Sequence, residues 1–229
     1  MALTKVIGAG VGNLDELGVG TASPSYKLHS VTTSGSDYAG FFHNSAGSGN
    51  GTALVVKGGA NNTGAGTLIV QDYGGNTDLM VDGNGHVTMP NQSAFLVQPS
   101  SDQDDIAVNA TTTIAFGTEI FDNNGDFASN TFTAPVTGKY QFNLFSFIDD
   151  LNHGYSIFQV RLVTSNRTLT WRIDPRFGDA NADSFPITFS ALVDMDASDT
   201  AYVQMVIPNY GSAQVDFNAA SSFSGYLVC

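Results

Sequence analysis

The run Asp122-Asn123-Asn124-Gly125-Asp126 is the stretch of this 229-residue chain best suited to chemistry, because closely spaced carboxylates and amides are what a calcium ion seeks. No glutamate follows to close the coordination sphere, and Asn and Asp around a glycine equally make a tight turn. A turn without metal is the expectation. Gly8, Gly10 and Gly12 in "VIGAGVGNLDE" imitate a dinucleotide-binding turn, but the third glycine of that fingerprint would fall on Asn13. No amphipathic helix follows to meet a pyrophosphate. His29, His43, His86 and His153 are scattered, without zinc-ligand spacing. No Gly-x-Ser-x-Gly elbow presents a serine, and the neighbours Asp149 and Asp150 do not make the paired carboxylates of a glycosidase groove. The expected protein is not an enzyme and carries no cofactor.

The elements that would hold such groups are strands. "KYQFNLFSFI", from Lys139 to Ile148, places Tyr140, Phe142, Leu144 and Ser146 on one face. "YSIFQVRLVT" alternates likewise, "TLTWRI" follows a tight Ser165-Asn166 turn, and "SFPITFSALVDM", "TAYVQMVIP" and "SFSGYLV" continue the pattern. Short strands separated by Gly, Asn and Asp turns, with no 3.6-residue period, predict an all-β sandwich.

Composition changes near Pro90, with glycine dense before it and most aromatics after it. This divides the chain into an anchor (1–25), a slender stem (26–90) and a globular head (91–229). In the stem, apolar triplets begin at Leu54, Leu68 and Leu79, each closed by glycine-rich turn chemistry, with Phe41-Phe42 one step earlier. So thin a unit cannot bury its own apolar face, so the triplets predict strands wrapped against copies of themselves; a β-meander is the alternative.

Eight basic residues against 21 acidic ones give a net charge of −13, which disfavours nucleic acid, whose binding depends on Lys and Arg. Such a chain meets an anionic cell surface through bridging cations or uncharged contacts. Charged residues are 13% of the total, about half the usual share, so Ser, Thr, Asn, Gln and Gly must carry solubility. The single cysteine, Cys229, excludes an intrachain disulfide and reads as a small terminal hydrophobe. No apolar run is long enough for a membrane helix, and "MALTKVIGAGVGNLDELG" lacks the features of a secretion signal.

Aromatics are packed most densely in "FGTEIFDNNGDFASNTFTAPVTGKYQFNLF", Phe116 to Phe145. This resembles the signature of the complement C1q-type globular domain, of the C1q/tumour-necrosis-factor jelly-roll superfamily, at Phe116, Asp122, Phe127, Phe132, Gly138, Tyr140 and Phe142. "SAFLVQ" and "SSFSGYLV" resemble the family's first and last strands. The segment between Phe127 and Phe132 holds four residues where the family usually has six. "GVGTASPSYKLHS" and "MVDGNGHVTMP" resemble segments of phage tail fibres and related trimeric surface proteins, as does the opening "MALTKV".

The resemblances imply a C1q-like jelly-roll head on a β-rich, glycine-rich trimeric stem. The aromatics Phe95, Phe116, Phe127, Phe132, Tyr140, Phe142, Phe223 and Tyr226 would fill the core and the trimer contacts. If the last strand runs back toward the stem, as in the family, loops 149–154, 173–183 and 208–220 lie at the distal tip. The turns at 165–166 and 194–199 then lie at the base. The tip supplies Asp149, Asp150, His153, Asp174, Arg176, Phe177, Asp179, Asp183 and Tyr210 as candidate receptor-binding residues. The implied function is a phage virion surface protein, a short tail or head fibre that attaches to a bacterial host surface glycan or protein. Its N-terminal segment would dock other virion proteins, without membrane insertion. A capsid decoration protein, clamping the lattice through its base and N-terminal segment, is the rival.

Overall fold

The computed structural model of the chain describes residues 17–23, 25–33, 35–36, 38–44, 52–58, 62–155, 157–177, 180–207 and 214–229. The "VIGAGVGNLDE" segment, the opening "MALTKV", Asp179 and Tyr210 lie outside the described residues. The chain divides into two compact units, Met1–Gly59 and Ala60–Cys229, so residues 60–90 of the expected stem cluster with the head.

In the first unit, β1 (Leu17–Val19) and β2 (Leu28–Ser30) pair in parallel, and the Val31 amide donates to the Val19 carbonyl at 2.8 Å. Gly20 has φ +76°, and a Cβ there would stand 2.1 Å from the Val31 carbonyl oxygen, so only glycine fits this crossing. Phe41 and Phe42 are exposed and lie in no strand. The triplet Leu54–Val56 is likewise exposed and lies in no strand of the single chain.

The second unit opens with an antiparallel sheet of β3 (Gly66–Gln71), β4 (Thr77–Asp82) and β5 (Val87–Thr88). Here the second and third triplets pair with each other within one chain, Val70 opposite Leu79 and Leu68 opposite Val81, which is the β-meander arrangement. Asp82 ties the β4–β5 turn: Oδ1 accepts from the amides of Asn84 and His86, and Oδ2 lies 2.8 Å from His86 Nδ1. The histidine ring and these amides hold its carboxyl below the usual carboxylate range, against desolvation.

The sandwich follows. Its first strands are β6 (Ala94–Gln98), β7 (Gln103–Ile106), β8 (Thr111–Thr113), β9 (Thr118–Asp122), β10 (Phe127–Ala128) and β11 (Thr131–Thr133). The long β12 (Gly138–Leu151) leads to β13 (Phe158–Thr164), β14 (Thr168–Ile173) and β15 (Ala182–Met195). The strands β16 (Thr200–Val206), β17 (Val215–Phe217) and β18 (Ser222–Leu227) complete it. One sheet runs β7-β17-β12-β18-β6-β9, with β15 on the other side of β12; the second runs β10-β11-β16-β13-β14, with β8 beside β16. Every pair within the two sheets is antiparallel. Among the described residues the only helical piece is a 3-10 turn, Pro175–Phe177.

The inward faces meet in an aromatic core. Phe95 lies between Phe127, Phe132 and Phe223, with ring centroids 5.0, 5.1 and 5.2 Å away, and Phe116, Phe142 and Tyr140 extend the stack. Gly225 makes room for it, since a Cβ there would sit 2.7 Å from both Phe142 and Phe95 ring atoms. Tyr140 is fully buried, so its hydroxyl donates to the Val136 carbonyl at 2.7 Å, and burial pushes its pKa up. Seven of the eight candidate aromatics are therefore buried inside one chain and unavailable to a partner; Tyr226 alone is exposed. The short 127–132 segment closes as a two-residue hairpin, with Ser129 and Asn130 both at positive φ and Phe127 opposite Phe132.

Candidate functional site

At one end of the sandwich the Asn166 side chain donates to the Asp194 carbonyl and to Asp199, and the Lys139 amide donates to the Cys229 carbonyl. Residues 89–92 enter there, the Gln92 side chain donating to the Leu227 carbonyl at 2.6 Å. This is the base. A cavity of about 280 Å³ lies here, lined among others by Lys139, Asn166, Asp194 and Cys229. Cys229 is exposed, so it does not serve as a packed hydrophobe.

The opposite end gathers loop 149–154, the described residues of 173–183 and the start of β17, as Leu151 pairs with Ala182 and Asp149 with Asp216. Asn181 links two of these loops: its Oδ1 accepts from the His153 amide at 3.1 Å and lies 2.8 Å from His153 Nδ1. Asp174 and Arg176 form an exposed two-pronged pair at 2.8 and 2.6 Å, and Asp174 also accepts the Arg176 amide. The guanidinium holds the Asp174 carboxyl below its usual range. Asp149 accepts from Asn218 through Oδ2 at 2.7 Å, while its buried Oδ1 has no partner. Asp150, at φ 58°, and Asp183 are exposed, and Phe177 closes the 3-10 turn.

Sequence reasoning missed Asn181, Asn218 and the segment around Asn109, whose amide donates to the Ile207 carbonyl at this end. It also missed the carboxylates Asp104 and Asp105 on β7, Asp216 on β17 and Asp102 just before β7; there desolvation, then the charges of Asp216, Asp102 and Asp105, push the Asp104 carboxyl up. Among the described residues no group of three or more His, Cys, Asp or Glu could hold a metal. In the "DNNGD" run, Asp122 spends both oxygens on the Asp126 and Phe127 amides, as a turn does.

A different surface lies on the sheet containing β12. Its outward positions across β15, β12, β18, β6 and β9 include Phe121, Phe145, Leu192 and Tyr226, exposed by 46, 43, 56 and 47%. Between them lie Gln141, Asn143, Ser190 and Ser224, and no charged residue points outward from the paired stretches of β12 and β18 from Tyr140 to Phe145.

A family profile for the C1q domain matches residues 94–228, which span the whole sandwich. The chain belongs to the C1q domain family. Solved structures that align with the chain include the globular domain of zebrafish complement 1qA, at 16% identity and a TM-score of 0.46, covering 61% of this chain and 98% of that one. Murine APRIL aligns at 12% identity and a TM-score of 0.42, covering 60% of this chain and 98% of that one. The PRD1 vertex protein P5 aligns at 12% identity and 0.41, covering 60% and 96%. No curated protein matches the chain.

Proposed function

We propose that the protein is a homotrimeric virion surface protein of a phage, attaching to the bacterial host through the distal loops of its C1q-like head. C1q/TNF-like domains are generally structural or ligand-binding and typically trimeric. One observation carries the trimer: Phe121, Phe145, Leu192 and Tyr226 stand exposed on a face whose intervening positions are Gln, Asn and Ser. A monomer in water gains nothing from such a face, whereas three copies sharing an axis bury it without desolvating a charge. The virion assignment rests on the fibre-like segments "GVGTASPSYKLHS" and "MVDGNGHVTMP".

The distal end suits recognition because loops there are carried by rigid strands and cross-linked by Asn181 and Asn218. Replacing Asp174 and Arg176 together by alanine removes the exposed pair without stranding either charge. With Tyr210→Ala added, adsorption of virions to host cells is expected to fall about tenfold, because three tips multiply each loss, while assembly stays intact. Unchanged adsorption, together with particles that break open when the protein is deleted, would instead establish capsid decoration through the base.

A further inference from the structure

All four arginines of this acidic chain lie within one segment, at positions 161, 167, 172 and 176. Two are neutralised, Arg167 by Asp194 and Arg176 by Asp174. The other two share the outward face of the sheet built on β13 and β16. On β13, Val160 and Leu162 are fully buried, so Arg161 and Val163 point out, with Gln159 on the same side but only 8% exposed; on β14, Leu169 and Trp171 pack on the core, so Thr168, Thr170 and Arg172 point out. Arg172 pairs with Gln159 and Arg161 with Thr170, which makes the two arginines diagonal neighbours about 7–8 Å apart.

Two like charges so placed repel, and a carboxylate between them would be the ordinary remedy. None is there. The outward residues of β8, β13, β14 and β16 are Thr111, Thr113, Gln159, Arg161, Val163, Thr168, Thr170, Arg172, Thr200, Tyr202, Gln204 and Val206, without an aspartate or glutamate. The Gln159 side-chain oxygen accepts from Arg161 Nε and Nη2, at 3.2 and 2.7 Å, which fixes that guanidinium flat along the sheet. Arg172 is exposed and has no acidic partner among the described residues. In a chain with 21 acids and 8 bases, a carboxylate-free face with two fixed or free guanidiniums is the exception in the charge distribution.

We infer that this face is a second binding site, and that its ligand is an acidic polysaccharide bearing carboxylate groups. The guanidinium fork matches a carboxylate with two parallel hydrogen bonds, which a lysine cannot do. Threonine hydroxyls, Gln204 and Tyr202 around the pair suit sugar hydroxyls and ring faces, whereas a groove for nucleic acid would need a far larger basic surface. The net negative charge of the protein keeps non-specific polyanions away, so the local pair selects a ligand that also satisfies the neutral hydrogen-bonding groups. The site is independent of the distal loops and stands or falls without them.

Isothermal titration of the full chain with short alginate oligomers, a polymer of uronic acids, tests this. Binding is expected, weakened about fivefold by Arg172→Gln and lost with Arg161→Gln added. Thr113→Glu, which brings a carboxylate to the same face without touching either arginine, is expected to weaken it similarly, and Lys139→Gln at the base to leave it unchanged. No binding by the wild-type chain overturns the inference, as does binding by the double variant equal to wild type. Equal binding of neutral dextran, or of polyglutamate, overturns the assignment of ligand class.

Discussion

At the residue scale, the acidic composition leaves its mark on Asp104. This side chain is exposed on β7, yet desolvation and the neighbouring Asp216, Asp102 and Asp105 charges raise its pKa from 3.8. A raised carboxyl means the folded state disfavours the charged form. The penalty acts at neutral pH, where the group is ionised both folded and unfolded, and it vanishes as pH falls through the raised folded value to below 3.8. Asp104→Asn should therefore raise the melting temperature at neutral pH, by a small amount because salt and water screen an exposed site. The gap between variant and wild type should close below the ordinary carboxylate range. Calorimetry at the two pH values checks it; a gap that widens in acid would mean that Asp104 makes a favourable contact instead.

At the element scale, the strength of each hairpin depends on a few turn residues. Ser129 and Asn130 occupy positive φ, at 51 and 64°, and Asn130 Oδ1 accepts the amide of the buried Phe116 at 2.7 Å. Asn130→Ala imposes left-handed strain on a residue that avoids it and orphans that amide, for an expected loss of about 2–3 kcal/mol. Urea titration should show a lower midpoint with an unchanged slope. Much of this level could be read in the sequence: alternation alone put Tyr140, Phe142, Leu144 and Ser146 on one face, and all four are buried, Ser146 by donating to the Ile187 carbonyl. Residues whose environment comes from distant chain were not legible. Alternation likewise puts Phe145 on the face opposite Phe142, and the pairing of β12 with β15 and β18 adds what sequence does not show, that Leu192 and Tyr226 come to lie on that same outward face. The Leu54 triplet matched those at Leu68 and Leu79 but has no strand opposite it among the described residues, while theirs is each other. Asn181 and Arg172 gain their meaning from His153 and Gln159, partners that pairing brings near and spacing does not advertise.

At the scale of the whole molecule, the exposed apolar face must be weighed against a charge of −13 on every copy. Assembling three such chains multiplies long-range repulsion, which is screened within about 8 Å at physiological salt. In the proposed trimer, burial of Phe121, Phe145, Leu192 and Tyr226 would be short-range and unscreened, on a face with polar neighbours rather than acids, where repulsion is weakest. Two consequences are measurable. Wild-type melting temperature should rise with protein concentration, as it does when association stabilises the folded chain. Phe145→Glu with Leu192→Glu should leave the inward core untouched, abolish that concentration dependence and give a folded single subunit by light scattering. If the proposed attachment through the distal loops holds, that variant, whose loops are unaltered, should lose host adsorption by a factor on the order of a hundred through lost avidity alone. A double variant that remains trimeric would move the subunit contact to another face, and adsorption undiminished in a proven monomer would show that one head suffices for attachment.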